Sequence, residues 1–224
     1  MEYNSFGALR WPDDMRIAIV ANGNPPGSFV KEIQKADLVI GVDRAAYWLI
    51  AHGITPAAAI GDFDSTSGGE FARIKKTVPI IKTFASNKDF TDTELALQYA
   101  IRKKPSEIIL YGGSGTRLDH QLGTLHLLER CMRLGISAVF LDETNEVRVV
   151  SRGRTILNKR VGYRYVSVVP ITNSIQITLE YFKYNIAKTT IRRGQTIGIS
   201  NEFTGRQATI TMHRGLAFII QSRD

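Results

Sequence analysis

Aspartates are concentrated in one part of this chain. Asp62 and Asp64 are separated by a single residue, Asp89 and Asp92 follow in a second acidic stretch, and Asp119 lies beyond a glycine-rich segment. Two carboxylates held ~4 Å apart repel each other by about 4 kcal/mol at an effective dielectric constant of ~20. A fold that gathers such groups either raises their pKa values or binds a cation. A hard divalent cation with a phosphate ligand is the natural occupant of such a site.

Short apolar runs separate these acidic residues and predict the strands that position them. The runs are nearly continuous in apolar residues, as in parallel strands covered on both faces, and amphipathic segments lie between them. Strands are predicted at Arg16–Ala21, Leu38–Val42, Ala57–Ile60, Pro79–Phe84, Glu107–Tyr111 and Ser137–Leu141. The clearest amphipathic segment carries one stripe made of Leu118, Leu122, Leu125, Leu128 and Met132. This alternation predicts an α/β domain with an open, Rossmann-like parallel sheet.

The predicted strand ends place the acidic residues at one edge of that sheet. Asp43 ends the second strand, Asp62 and Asp64 follow the third, Asp89 follows the fourth, and Asp119 lies just beyond the fifth. In open α/β sheets, ligands bind in the crevice outside the carboxyl ends of the strands. We therefore expect these carboxylates to share one crevice.

Some of these acids also have a structural explanation. Asp43 precedes a helical segment and could cap it. The segment 91–94 (Thr-Asp-Thr-Glu) matches a capping box, so Asp92 could chiefly serve its helix. A second capping-box match, at 67–70 (Ser-Gly-Gly-Glu), contains both residues that a capping box needs. Asp62 and Asp64, just before it, are therefore not needed for capping, and we interpret them as metal ligands.

After about residue 150 the helical periodicity ends. Strands are predicted at Val166–Ile171, Ser174–Leu179, Thr189–Arg192, Thr196–Ser200, Ala208–Met212 and Ala217–Gln221. Glycines punctuate these runs in the way that turn residues do. The pattern predicts an all-β sandwich or barrel domain over residues 151–224, joined through Ser151–Lys159 to an α/β domain over residues 1–150.

A glycine-rich turn, residues 112–117, lies between a predicted strand and a predicted helix. Its amides would allow a phosphate to approach closely, and Arg117 would add a bidentate charge. The turn matches neither standard nucleotide fingerprint, since it lacks the Lys-Ser/Thr of a P-loop and has Leu118 at the third glycine position of G-x-G-x-x-G. Lys88 is either part of a surface ion pair or a second cation for phosphate.

Charge and composition restrict the class of protein. The 224 residues carry a net charge of +8, which divides into −1 over residues 1–150 and +9 over residues 151–224. The basic second half could attract nucleic acid or a nucleotide polyphosphate. The single cysteine excludes an internal disulfide. No apolar run approaches the ~18 residues of a membrane span, so we expect a cytoplasmic protein without membrane contact.

In order and spacing, these motifs resemble the thiamine pyrophosphokinase family. The resemblance rests on Asp43 and on the segments 61–65 (Gly-Asp-Phe-Asp-Ser), 88–92 (Lys-Asp-Phe-Thr-Asp), 112–120 and 199–202 (Ile-Ser-Asn-Glu). It implies a nucleotide- and metal-binding α/β domain followed by a thiamine-binding β-sandwich. It also implies transfer of pyrophosphate from ATP to the hydroxyl of thiamine, with Mg²⁺ as cofactor and AMP as product. Family members are homodimers with the substrate sites at the subunit interface.

The resemblance also implies roles for individual residues. Asp62, Asp64 and Asp89 would hold Mg²⁺, and Asp43 and Asp119 would complete the catalytic acidic group. The ATP-binding residues would be Lys88, Thr91, Asp92, Gly112, Gly113, Gly115 and Arg117. Ser200 and Asn201 would bind thiamine.

Two alternative functions stay open on sequence alone. A pyrophosphokinase on the same scaffold could act on another acceptor, such as a hydroxymethyl pterin. A nucleic-acid-binding module could use the basic β domain, and it would show steeply salt-dependent binding. That second alternative gives no reason for acids at several strand ends, so we expect nucleic acid not to be a partner.

Overall fold

The computed structural model describes residues 15–84 and 89–224. Within them the chain forms two compact units, which meet in sequence between Glu143 and Thr144. Sequence analysis places this boundary at 150/151. The strand Asn145–Val150 accounts for the difference, because it pairs with the strand Ala217–Ser222 of the second unit.

The first unit is the open α/β sheet that the sequence predicts. Its strands are β1 (Arg16–Val20), β2 (Leu38–Val42), β3 (Ala58–Gly61), β4 (Ile80–Thr83), β5 (Glu107–Tyr111) and β6 (Ser137–Leu141). Its α-helices are α1 (Val30–Ile33), α2 (Ala45–Ala51), α3 (Gly68–Thr77), α4 (Asp92–Ile101) and α5 (Leu118–Arg133). The strands pair in parallel in the order β6-β5-β1-β2-β3-β4.

This strand order creates a switch point in the first unit. From β1 the chain builds the sheet outward through β2, β3 and β4, and then returns to the other side of β1 to add β5 and β6. The crevice beyond the carboxyl ends of two such strands is the usual ligand site of a doubly wound sheet. Strands β1 and β5 therefore frame the position where a nucleotide is expected.

Both faces of the first sheet are covered, which explains the continuous apolar runs. One face packs Ala18, Val20 and Val39 against Ile33 of α1 and Leu49 of α2. Helix α4 packs against β1, β2 and β3. Strands without an exposed face need apolar residues at successive positions.

Helix α5 buries only part of the stripe that the sequence predicts. Thr124, Leu128 and Cys131 face inward, whereas Leu118 is 66% exposed and Leu122 is 49% exposed. The inward residues still follow helical spacing, whereas Leu118 and Leu122 in the first turn and a half lie on the exposed surface.

The second unit is a sandwich of two antiparallel sheets. Its strands are β7 (Asn145–Val150), β8 (Gly153–Asn158), β9 (Tyr165–Pro170), β10 (Ser174–Glu180), β11 (Ile186–Arg192), β12 (Asn201–Glu202), β13 (Gln207–Arg214) and β14 (Ala217–Ser222). One sheet has the order β12-β9-β14-β7 and the other β11-β10-β13-β8. Apolar residues from both sheets, such as Val168, Ile219, Ile177 and Ile210, share one core.

One linker prediction and one strand prediction in this unit are wrong. The segment Ser151–Lys159, predicted to join the domains, contains the edge strand β8. Leu157 is the buried residue of this strand, so the strand shows little alternation between apolar and polar residues. The predicted strand Thr196–Ser200 is a turn that leads to β12. Ile197 and Ile199 are both exposed there, and Ser200 has a φ of +57°, which no strand accommodates.

Candidate functional site

Three aspartates from separate elements of the first unit converge at the carboxyl edge of its sheet. Asp43 follows β2, Asp62 follows β3, and Asp92 is the first residue of α4. One carboxylate oxygen from each lies within 4.8 Å of the others, and all three side chains are partly buried. Such oxygens suit a hard divalent cation, which typically takes one or two carboxylates together with water and substrate phosphates. The residues present therefore fit Mg²⁺.

The position of Asp43 is fixed by its backbone and by a glycine. Its φ of +48° is unusual for a residue other than glycine. Its Oδ1 accepts a hydrogen bond from the Phe63 amide at 3.1 Å. A Cβ at Gly61 would lie 1.8 Å from that Oδ1, so the glycine makes room for the carboxylate. The N-cap residue of α2 is Arg44, and the hydrogen bond from the Phe63 amide connects the Asp43 side chain to the turn after β3.

The turn after β3 is held by the side chain between its two acids. Phe63 has a φ of +61°, and its buried ring packs on Phe71 with centroids 4.9 Å apart. This turn places the Asp62 carboxylate near Asp43, and Asp62 Oδ1 also accepts the Asp64 amide at 3.1 Å. Asp64 itself points to solvent.

Asp92 belongs to the acidic group and also begins a helix. Thr91 is the N-cap of α4, and its Oγ1 accepts the Glu94 amide at 3.2 Å. The carboxylate of Glu94 binds Arg130 at 3.0 Å. The predicted cap at Thr91 is therefore confirmed. Sequence patterns predict a capping or ATP-binding role for Asp92, and its carboxylate also lies near those of Asp43 and Asp62.

The second predicted capping box is complete. Ser67 Oγ accepts the Glu70 amide at 3.3 Å, and the Glu70 carboxylate accepts the Ser67 amide at 2.9 Å. Arg44 also donates to Glu70, at 2.8 Å and 3.0 Å. The Arg44 guanidinium and the Ser67 amide lower the pKa of Glu70 to about 2. This ion pair connects the start of α2 to the start of α3.

Three other acids predicted for the site, Asp64, Asp89 and Asp119, do not belong to the group formed by Asp43, Asp62 and Asp92. Asp64 and Asp89 are exposed, and Asp119 is paired with Arg117 at 2.6 Å. That contact lowers the pKa of Asp119 and raises that of Arg117. Both side chains are well exposed, and such pairs contribute little to stability. Lys88 lies outside the described residues.

The glycine-rich turn lies at the switch point, in close contact with the loop after β1. The Gly23 amide donates to Gly112 O at 2.9 Å, and the Asn24 amide donates to Ser114 O at 2.7 Å. A Cβ at Gly23 would lie 2.0 Å from Ser114 O. Gly112 has a φ of +66°, while Gly113 packs against Phe140. The two loops therefore form one backbone surface at the expected nucleotide position.

The loop after β1 has no counterpart among the predicted site residues. Asn22 donates from Nδ2 to Ser65 Oγ at 2.9 Å and so connects this loop to the acidic turn. The signal was the run Asn22-Gly23-Asn24 directly after a buried strand, which is turn chemistry at a sheet's carboxyl edge.

In the second unit, the two residues expected to bind thiamine have different environments. Ser200 is exposed, and its amide donates to Ser167 Oγ at 3.0 Å. Asn201 is buried, and its side chain is hydrogen-bonded to the main chain of Tyr184 in both directions.

The fold and the acidic edge define a class of protein. A doubly wound sheet with carboxylates at its carboxyl edge and a glycine-rich backbone turn at its switch point is typical of nucleotide-dependent phosphate-transfer enzymes. Within residues 15–84 and 89–224, no helix has the length and apolarity to cross a membrane.

Comparison with known proteins identifies the family. Residues 29–140 match the thiamin pyrophosphokinase catalytic domain, and residues 154–217 match its vitamin B1 binding domain. The chain is 34% identical to thiamine pyrophosphokinase of Bacillus subtilis, covering 93% of this chain and 99% of that protein, and superposes on its crystal structure with a TM-score of 0.87. The chain belongs to the thiamine pyrophosphokinase family.

Two further relatives agree with this assignment. The crystal structure of thiamin pyrophosphokinase from Geobacillus thermodenitrificans is 30% identical and has a TM-score of 0.85, with 94% of this chain and 98% of that chain covered. Thiamin pyrophosphokinase 1 of Caenorhabditis elegans is 26% identical over 74% of this chain and 70% of its own length. Both the fold class and the family resemblance expected from sequence are thus confirmed.

Proposed function

We propose that this protein is a thiamine pyrophosphokinase that transfers the terminal diphosphoryl group of ATP to the hydroxyl of thiamine, giving thiamine diphosphate and AMP. Both matched domains and the curated relatives support thiamine pyrophosphokinase function. The observation that carries the ATP-dependent chemistry is the convergence of Asp43, Asp62 and Asp92 at the carboxyl edge of the sheet. Neither the pterin-directed nor the nucleic-acid-binding alternative gains support from the comparisons.

The acidic group would serve to hold a metal. Transfer of phosphoryl groups needs positioning and charge neutralisation more than covalent participation by the protein. Bound Mg²⁺ would neutralise charge on the ATP phosphates. Asp43, Asp62 and Asp92 would hold it, because their oxygens already lie within 4.8 Å of one another. Metal roles for Asp64 and Asp89, and a catalytic role for Asp119, stay predictions.

The loops at the switch point would bind the nucleotide. The turn with Gly112, Gly113 and Gly115 packs closely on the loop after β1, and its glycines would let a phosphate approach the backbone closely. Arg117 would contribute charge by exchanging its Asp119 contact for a phosphate. Thr91 and Lys88 stay predicted ATP contacts.

Thiamine would bind to the second unit, through the segment that contains Ser200 and Asn201. A cytoplasmic homodimer is part of the proposal. The exposed Leu118 and Leu122 on α5 support it, because apolar side chains on a helix surface are better buried in an interface.

AMP release tests the proposed reaction and its acceptor. The purified protein is incubated with ATP and Mg²⁺ and with thiamine, a hydroxymethyl pterin, or no acceptor. We expect AMP and thiamine diphosphate in equal amounts with thiamine only, and no product after chelation of the metal. Turnover with the pterin alone would contradict the thiamine assignment, and ADP as the product would contradict diphosphoryl transfer.

A further inference from the structure

A charged pocket of about 190 Å³ lies in the second unit, between β7 and β14 of one sheet and the end of β8 in the other. Its polar lining residues are Glu146, Arg148, Asn158, Lys159, Arg160 and Gln221. Three of these side chains are cations and one is a carboxylate, so the lining carries a net charge of +2. A pocket lined in this way attracts small anions.

The carboxylate in this lining is buried and is bound by two arginines. Glu146 is 7% exposed, its Oε1 accepts a hydrogen bond from Arg148 Nε at 3.0 Å, and its Oε2 accepts one from Arg160 Nη1 at 2.9 Å. A buried carboxylate needs such partners, but one guanidinium is enough to balance its charge. The second guanidinium and Lys159 therefore give the pocket its positive charge.

Gln221 holds the cationic segment against β14. It is 3% exposed and lies opposite Glu146 in the pairing of β14 with β7. Its Oε1 accepts the Arg160 amide at 3.0 Å, and its Nε2 donates to Asn158 O at 3.1 Å. The main chain on both sides of Lys159 is therefore fixed, so a ligand would meet a segment whose position is set before it binds.

The size and chemistry of the pocket select its ligand. Its volume is below the ~300–1,000 Å³ of sites for drug-sized molecules, but far above the ~10–15 Å³ that holds one water molecule. It therefore suits a small anion with bound water better than a whole nucleotide. Guanidiniums recognise phosphate oxygens with planar, paired donors, and a phosphate dianion would balance a charge of +2.

The pocket is separate from the segment that is expected to bind thiamine. In the sheet order β12-β9-β14-β7, two strands lie between β7, which carries Glu146 and Arg148, and β12, which contains Asn201. At ~4.8 Å for each strand step, β7 and β12 are ~14 Å apart. A ligand in the pocket would therefore not occupy the predicted thiamine site.

We propose that this pocket binds a small phosphate dianion, either inorganic phosphate or the phosphate group of a small phosphomonoester, through Arg148, Arg160 and Lys159. The site is distinct from the acidic group of the first unit, and the inference does not depend on the proposed function. Because the ligand would connect β7 to the segment after β8, the occupied protein should also resist unfolding more strongly.

Calorimetric titration without ATP or Mg²⁺ tests the site at about pH 8, where phosphate is a dianion. Inorganic phosphate and glycerol phosphate are titrated separately, and sodium chloride of equal ionic strength is the blank. We expect saturable binding of at least one of the two, and the one that binds more tightly identifies the source of the phosphate group. R148Q and K159Q should each weaken binding about tenfold, as expected for one lost charge-assisted hydrogen bond.

The matched control is R193Q, which removes an exposed positive charge of the same unit outside the pocket. R193Q should leave the affinity within about twofold of wild type. Urea unfolding checks that each variant is folded, and K159Q keeps the test valid if R148Q does not fold, because Lys159 is exposed.

A variant of the carboxylate should have the opposite effect. E146Q removes the negative charge that competes with the ligand for Arg148 and Arg160, so it should bind phosphate about tenfold more tightly. A cluster with only a structural role would give no phosphate binding in any variant. Absence of saturable binding to wild type, unchanged binding in K159Q, an equal loss in R193Q, or weaker binding in E146Q would overturn the inference.

Discussion

Substitution of Gly61 by alanine should disable the acidic group while leaving the fold in place. The new Cβ would lie 1.8 Å from Asp43 Oδ1 and 2.7 Å from its Cγ, whereas an ordinary contact is 3.4 Å or more. The Asp43 carboxylate must therefore move by about 1.6 Å. Mg²⁺ demands oxygen ligands at ~2.0–2.1 Å in near-ideal octahedral geometry, so a shift of this size removes Asp43 from the site.

The expected magnitudes follow from this displacement. A misplacement of ~1 Å at a catalytic group can lower activity about 100-fold, and loss of support for a metal ligand lowers metal affinity about 10- to 100-fold. Overpacking should reduce the free energy of unfolding by only about 1–3 kcal/mol. G61A should thus fold but lose at least about 100-fold in kcat/KM.

The assay compares G61A with a glycine substitution that has space for its methyl group. AMP release is measured over a Mg²⁺ titration, with urea unfolding to confirm the fold. G69A is the matched control, because a Cβ at Gly69 in α3 would meet no described atom within 4 Å. Wild-type activity and Mg²⁺ dependence in G61A would show that the position of the Asp43 carboxylate beside β3 is not required for catalysis.

Three further predictions concern stability and reactivity. G123A in α5 should raise the free energy of unfolding by about 0.4–1 kcal/mol in urea, since its methyl group meets no described atom within 4 Å; destabilisation would contradict this. Burial raises the pKa of the Cys131 thiol to about 12. A thiol reagent at pH 8 should therefore modify Cys131 only when the protein is unfolded in urea. Rapid labelling of the native protein would contradict this prediction. The pKa of Glu70 falls from 4.5 to about 2 on folding. The contribution of ionised Glu70 to the free energy of unfolding is therefore full above about pH 4.5 and is lost as the pH falls toward 2. The urea midpoints of wild type and E70Q should converge over that range. A difference between the midpoints that stays constant with pH would contradict this prediction.

Much of the first unit could be predicted because its strands are covered on both faces. Leu38–Val42, Glu107–Tyr111 and Ser137–Leu141 have the predicted bounds, since continuous apolar runs mark buried parallel strands clearly. Because the strands are parallel, acids that follow β2 and β3 are expected to meet at one edge of the sheet. The carboxylates of Asp43 and Asp62 do lie close together there.

The membership of the acidic group could not be predicted. It depends on left-handed backbone at Asp43 and Phe63, which turns Asp62 inward and Asp64 outward. Local sequence does not specify that conformation for aspartate or phenylalanine, and the buried packing of Phe63 on Phe71 stabilises it. Strand β8 was missed because it lies at a sheet edge and buries only Leu157, so its sequence lacks the apolar pattern of a strand.

We propose that Asp43, Asp62 and Asp92 together hold Mg²⁺ for diphosphoryl transfer. The most direct measurement is the Mg²⁺ dependence of thiamine-dependent AMP release by D92N, with D89N, an exposed acid three residues earlier, measured alongside. We predict that D92N needs at least about tenfold more Mg²⁺ for half-maximal rate, with a lower maximal rate, and that D89N is affected less. A D92N variant with wild-type rate and wild-type Mg²⁺ dependence would show that Asp92 is not a metal ligand.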